Sequence, residues 1–542
     1  MRHGTRKKWV VAAIPALAVV LWLIATDWKS VPQRQAEALI AKSKAAGYKM
    51  DAGDFDLDIG EAARRATGIF TNVPFGWPPY VFYQAAFTPP VGSNSAVVLW
   101  KETEILGADG SNVWPNVRAQ LDSSSNLISQ LHRILDAPKF RTQAPGKFGP
   151  YHLWPHLHSF VPYASLLASE ASLALHDGRR DDAWIALRSL SRLATRWEPE
   201  PFEASQFTRL LLVDQVQKHM WNALQDDAWS EDQLNELQGE WERLDLFSRV
   251  PEAAAAERVK KLIACDERRA SKGEREVPAL WETVMNSGGS RVDALKGWFG
   301  AWNKERNYLR SGVFDDEIAL IEFFNEREDE LRWAVASPTF VSMKERISTT
   351  NQTWVRTSPE SQVAVRIRLK SLHEDWLGIA RQGMLGWLAT TESRRRMVVT
   401  ALALKRYAVR NGRLPETLGQ LVPGLLNQVP ADYMDAQPLR YRSRADGSFL
   451  LYSVGRDCKD DGGDQRSPPN ETTENPHRLP RDIVWPFAAS EEDLRLDQEA
   501  SEAWERMEKA KGTNLMILEW LRRWGIIPFE QAQEVSNFGG PP

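Results

Sequence analysis

Residues 391–415 read "TESRRRMVVTALALKRYAVRNGRLP", and this stretch separates two kinds of architecture. It predicts a single helix that stops where Asn411-Gly412 supplies a C-terminal cap and Pro415 forbids continuation. Downstream, "QPLRYRSRADGSFLLYSVG" (437–455) holds two β-prone runs, Leu439 to Ser443 and Ser448 to Val454, around the hairpin signal Asp446-Gly447. Upstream, from about 160 to 390, helical patterns dominate. The expected fold is therefore mainly α, with a small α+β module near the C-terminus that contains an antiparallel hairpin.

The helical part is clearest in "FVPYASLLASEASLALHDGRRDDAWIALRSLSRLATRW" (160–197). Leu167, Ala171 and Ala174 share one helical face, "HDGRR" breaks the pattern, and Ala183, Leu187, Leu190 and Ala194 resume it. Two amphipathic helices around a glycine turn make a helical hairpin. Its small residues are similar to a tetratricopeptide unit, but a solenoid needs several stacked copies, so the reading is irregular helical hairpins. Ser230 with Gln233 forms a capping-box pattern at the start of another helix. Further helices are expected over 29–50, 207–224, 278–302, 314–334 and 360–390. Residues 72–150, with Pro74, Pro78, Pro79, Pro89 and Pro90, read as long loops between short helices. In "DAGDFDLDIG" (51–60) the aspartates read as a turn and N-cap.

The N-terminus carries Arg2, Arg6, Lys7 and Lys8 ahead of "WVVAAIPALAVVLWLIATDW". No charge interrupts Trp9 to Thr26, enough to cross a hydrocarbon core of roughly 30 Å, and Trp9, Trp22 and Trp28 mark its ends. No A-x-A-like cleavage site follows, so the expectation is an uncleaved anchor whose basic flank stays cytoplasmic. The division is then 1–28 basic tip and transmembrane helix, 29–391 helical extracytoplasmic domain, 392–490 α+β module and 491–542 helical tail. With 68 basic and 72 acidic residues, the chain lacks the basic excess of a nucleic-acid binder. Cys265 and Cys458, the two cysteines present, make neither a disulfide framework nor a thiolate metal cluster.

One stretch calls for a positive charge. "SVGRDCKDDGGD" (453–464) puts four aspartates on a glycine-rich backbone, an oxygen-rich donor set of the kind that suits a hard cation, calcium above all. It is not an EF-hand: counting from Asp457, position 3 is Lys459 and the closing position 12 is Pro468.

Several spaced motifs over 392–486 resemble the C-terminal half of the major pseudopilins of type II secretion systems. These are the Asn411-Gly412-x-x-Pro415 turn, the Pro438-x-x-Tyr441 strand, the Tyr452-Ser453-x-Gly455-x-Asp457 strand end and the closing Asp482-Ile483. The resemblance implies a structural calcium site with Asp457 and Asp482 as side-chain ligands and the Val454 carbonyl as a backbone ligand. Asp460, Asp461 and Asp464 are further acids beside it. The chain departs from the family at its N-terminus, where "HGTRKKWVV" replaces the Gly-Phe-Thr-x-x-Glu processing signature. The pilin-like helix also sits deep in the chain, and the 464–482 loop is long and proline-rich. The expectation is a borrowed fold and not a working pseudopilin subunit.

A second constellation is "YHLWPHLHSF" (151–160), where His152, His156 and His158 are candidate zinc ligands. Pro155 interrupts any helix that would align the first two, and no carboxylate lies within ten residues, so packing in an irregular segment is the preferred reading. Nucleophile-elbow, P-loop, dinucleotide and His-Glu-x-x-His motifs are absent from the sequence. The functional expectation is a non-enzymatic envelope protein in the bacterial inner membrane. It would be single-pass, with its bulk periplasmic, and act as a scaffold or secretion-related interaction protein with protein partners. An envelope hydrolase using the three histidines of the 72–160 region is the alternative.

Overall fold

A computed structural model describes residues 29–55, 68–70, 90–91, 94–105, 111–142, 155–270, 283, 290–349, 384–444, 447–464, 482–495 and 499. The expected 9–26 span, His152, the 360–383 part of the expected 360–390 helix and nearly all of the C-terminal tail lie outside them. No helix among the described residues is long and apolar enough to cross a membrane.

The fold is mainly helical, with few and short strands. Twelve helices matter here: α1 Val31–Ala45, α2 Val113–Ser123, α3 Ser125–Leu135, α4 Phe160–His176, α5 Arg180–Thr195, α6 Glu203–Ala223, α7 Glu231–Glu242, α8 Val250–Ala270, α9 Arg291–Asn307, α10 Val313–Ala336, α11 Phe340–Thr349 and α12 Met384–Asn411. Among the described residues eight strands accompany them: β1 Pro90–Val91, β2 Ser95–Ala96, β3 Phe140–Arg141, β4 Trp197–Glu198, β5 Arg440–Ser443, β6 Phe449–Ser453, β7 Ile483–Trp485 and β8 Phe487–Ala488.

The α4–α5 hairpin forms as its periodicity requires. Leu167, Ala174, Ala183, Leu187, Leu190 and Ala194 are all buried. Gly178, at φ +74°, ends α4. The Arg179 amide reaches back to the Ala174 carbonyl at 2.8 Å and the Gly178 amide to Leu175 at 3.0 Å, a Schellman cap. α7 opens with the reciprocal Ser230–Gln233 capping box. Asp51 and Asp54 likewise cap a short turn: Asp51 accepts from the Gly53 amide, and Asp54 from the Met50 and Asp51 amides. Buried tryptophans fill the helix contacts, as where the Trp197 and Phe160 rings stack at 3.9 Å.

α12 begins at Met384, ahead of the 391/392 boundary read from sequence, because Leu385, Leu388 and Ala389 are themselves buried. It ends as expected. Gly412, at φ +68°, donates its amide to the Ala408 carbonyl at 2.8 Å. The hairpin also appears: β5 pairs antiparallel with β6 from Arg440↔Tyr452 to Ser443↔Phe449, and β6 pairs antiparallel with β7. α12 packs against α6 and α7 of the body and against β6 and β7 of the module. Polar links cross the same junction. Gln238 accepts from Arg406 at 2.9 Å and donates to the Leu425 carbonyl at 2.8 Å, and the Trp221 indole donates to the Pro486 carbonyl at 2.6 Å. Body and module therefore share one buried hydrophobic cluster, from Phe70 to Trp485.

Candidate functional site

The acidic loop leaves β6 at Ser453 and meets the chain again at Asp482, where β7 begins. Its first fixed point is Asp432, a fully buried carboxylate in the segment before β5. One oxygen accepts from Ser453 Oγ at 2.7 Å, the Met434 amide at 3.0 Å and Ser393 Oγ at 3.3 Å. The other accepts from the Val454 amide at 2.9 Å and Arg440 Nη1 at 3.3 Å. Asp432 thus ties α12, the pre-β5 segment and the end of β6 together.

Arg440 brings a positive charge to one aspartate of the loop, Asp460. Its guanidinium also reaches Asp435 at 2.6 Å and Asp460 at 3.3 Å. The hydrogen bond to Asp435, with the charges of Asp435 and Asp432, holds it well above the usual arginine range. Burial pushes Asp460 up, but the Gly462 amide at 3.0 Å, the Tyr452 hydroxyl at 2.9 Å and Arg440 overcome that and hold it below the usual carboxylate range.

Asp482 is arranged differently. It is completely buried, and Oδ2 accepts from the Gly463 amide at 2.7 Å. Oδ1 is buried with no hydrogen-bond partner. Burial, with added repulsion from Asp460 and Asp461 and against the amides of Gly463 and Asp461, raises its pKa to about 6. A buried carboxylate with one idle oxygen beside other acids fits a cation, because an ion would turn both the burial penalty and the repulsion to advantage.

The other sequence-nominated ligands do not all gather around it. Asp457 is exposed and accepts from the Lys459 amide at 3.2 Å, closing its own small turn. Val454 is buried, Asp461 exposed and Asp464 half-buried, its carbonyl accepting from the Asp482 amide at 3.1 Å. Among the described residues no three His, Cys, Asp or Glu side chains are grouped so as to hold a metal ion.

The described histidines diverge. His156 and His158 lie on one 3-10 turn, Pro155–Ser159, with His156 wholly buried and His158 exposed. His156 Nε2 lies 2.8 Å from Glu200 Oε1, which also accepts from Thr142 Oγ1 at 3.1 Å, while Ser205 Oγ donates to Oε2 at 3.0 Å. The parallel pairing of β3 with β4, Phe140↔Trp197 and Arg141↔Glu198, carries Thr142 and Glu200 to this place. Glu200 is thus the carboxylate missing from the local sequence.

A cavity of about 710 Å³ opens between body and module, lined by Leu224, Trp229, Lys405, Trp485 and Phe487 among others. The half-buried Lys405 in its lining is already engaged. Lys405 Nζ donates to Asp227 Oδ1 at 3.0 Å and the Asp226 carbonyl at 3.2 Å, while burial lowers its pKa.

Sequence reasoning missed Asp432, Arg440 and Glu200. Arg440 stood in plain view as one of several arginines on a strand, but nothing local marked it as the partner of three aspartates. No family model, curated protein or solved structure matches this chain.

Proposed function

We propose that the chain is a non-enzymatic, membrane-anchored envelope scaffold: a helical body for protein contacts, capped by a calcium-stabilised α+β module. The observation that carries this reading is α12. One helix is buried against α6 and α7 on the body and against β6 and β7 on the module. An element shared in this way makes the two parts move as one piece, which suits a protein that holds a surface in place. The arginines of α12 are spent on that junction: Arg406 reaches Gln238, and Arg395 donates to the Trp241 carbonyl at 2.8 Å. The uninterrupted apolar run from Trp9 to Thr26 supplies the anchor.

Calcium, in this reading, is structural. Asp482 would be one ligand, and the Val454 carbonyl, Asp457 and the acids at 460, 461 and 464 are the further groups nominated for the shell. The ion would supply the positive charge that Asp482 Oδ1 lacks and would cross-link the start of β7 to the loop leaving β6.

The test is affinity capture of the tagged full chain from detergent-extracted membranes, alongside carbonate washing and protease accessibility of sealed vesicles. A carbonate-resistant chain with its bulk on the far side of the membrane, co-purifying with defined envelope proteins, is the expected result. A chain released by carbonate, or recovered alone while hydrolysing an envelope polymer, would sink the reading.

A further inference from the structure

α9 is unlike every other described helix in what it leaves bare. Val292, Leu295, Phe299 and Trp302 are 59%, 44%, 60% and 37% exposed, and their spacing of three, four and three residues places them along one helical face. The helix is held to the body mainly at its C-terminal end, where Glu305 pairs with Arg268 at 2.5 Å and the π turn Tyr308–Gly312 leads into α10. Gly312 permits that turn, since a Cβ there would stand 2.6 Å from the Tyr308 ring.

The place of α9 in the molecule follows from α1. Ser43 accepts from Asn325 Nδ2 at 2.9 Å across 282 residues, and Tyr48 donates to Asp329 at 2.5 Å across 281. Ser43 in α1 and Tyr48 just after it meet α10 in the same chain direction, and the two helices pack on each other, so α1 and α10 run parallel. At that offset Val31 lies level with Val313, and α1 does pack against the π turn. The described chain, starting at Lys29, therefore begins at the same end from which α9 projects.

The charges on α9 agree with that position. Arg291, Lys296, Lys304 and Arg306 stand against Asp293 and Glu305, and Glu305 is taken by Arg268. At about 100° per residue, Arg291 and Lys296 flank the apolar stripe and Lys304 lies on the opposite face. The Arg306 guanidinium sits over the Trp302 ring, 5.3 Å from its centroid, and Trp302 stacks with Trp298 at 6.2 Å. Basic flanks with Leu, Phe and Trp between them are the composition of a helix that lies in a headgroup layer.

We propose that α9 is a second membrane contact, lying on the anionic surface of the bilayer that holds residues 9–26, with Val292, Leu295, Phe299 and Trp302 set into the headgroup boundary. This rests on the reading of the chain as membrane-anchored. A second copy of the chain is a poorer occupant, because four apolar positions on 17 residues fall short of the three to four heptads of a coiled-coil seam. Residues 9–26 cannot cover the stripe while they span the bilayer interior.

The test uses the full chain with Cys458→Ser, leaving Cys265 buried, and an environment-sensitive dye on Leu295→Cys. The chain is reconstituted in phosphatidylglycerol–phosphatidylethanolamine vesicles with or without nitroxide-labelled lipid. The expected result is a blue-shifted dye at 295 quenched by the nitroxide lipid, while a dye on Lys304→Cys stays in water. Adding Phe299→Asp and Trp302→Asp, both at exposed positions, should abolish the quenching at 295 while the chain remains carbonate-resistant. A dye at 295 as water-accessible as the one at 304 overturns the proposal. So does one shielded from both water and lipid quenchers, which would mean that protein covers the stripe. Carbonate release with lipid quenching retained at 295 would remove the anchor and keep α9 as a bilayer contact, so the two readings fail separately.

Discussion

Two fully buried aspartates stand at the base of the same loop, and their surroundings are opposite. Asp432 is met by five donors: two serine hydroxyls, two amides and Arg440. Asp482 has the Gly463 amide on one oxygen and no hydrogen-bond partner for the other. Burial alone therefore does not say whether a carboxylate holds a fold together. What decides is whether donors replace the water it lost. By that measure Asp432 is satisfied within the chain, and Asp482 Oδ1 is not.

The largest expected effect tests the complete side. Asp432→Ala strands buried hydroxyls and amides together with one contact of Arg440, and should cost about 3–5 kcal/mol in chemical unfolding. A loss under ~1 kcal/mol would erase the contrast between the two aspartates.

The next tests the incomplete side. Calcium well above its dissociation constant should stabilise the full chain by about 2–4 kcal/mol over chelator, read as a rise in the thermal midpoint. Asp482→Asn should abolish that gain and, in chelator, unfold at a higher temperature than the parent at pH 7. Coincident curves with calcium and with chelator would leave Asp482 a strained carboxylate and no ligand.

The third is the pH dependence without calcium. Asp482 has a folded pKa of about 6, above the ordinary carboxyl value near 4, so the folded state holds this proton more tightly than the unfolded one. Its contribution is fullest below pH 4, falls as pH rises from 4 to 6 and is flat above, a total of roughly 2–3 kcal/mol. Comparing the pH profiles of the parent and Asp482→Asn isolates it. A difference that grows below pH 4 would contradict the sign.

The smallest concerns the backbone that presents the Gly463 amide to Asp482. Gly463 sits at φ +89°, and a Cβ there would lie 3.3 Å from Leu450 Cδ2 and Tyr452 Cδ1. Gly463→Ala should cost about 1–2 kcal/mol. It should also weaken the calcium response, because the Gly463 amide orients the carboxylate. An unchanged calcium midpoint would mean that the loop closes without that amide.

Much of the fold was legible because helices, caps and hairpins write their requirements within a few residues. Periodicity marked Leu167, Ala174, Leu187 and Leu190 as an interior face, Ser230 and Gln233 announced a helix start, and Asn411-Gly412 announced a helix end. The candidate site was only half legible. Asp482 was nominated, but the counter-charge that holds Asp460 lies 20 residues away on β5, and the carboxylate facing His156 lies 44 residues away after β4. Side-chain polarity shows that a partner is needed without naming it, since many arginines and glutamates are equally eligible until strands pair.

The sequence alone determined the class of elements, where they stop and the acidic character of the loop, because those follow from local sterics and spacing. Only the tertiary structure decided that Asp432 would be saturated and Asp482 left with an idle oxygen, that His156 would face inward and His158 outward, and that α9 would keep its apolar face bare. Each of these depends on which distant surfaces cover a residue. Burial is a property of the packed chain, and what it costs a carboxylate depends on the donors that packing brings to it.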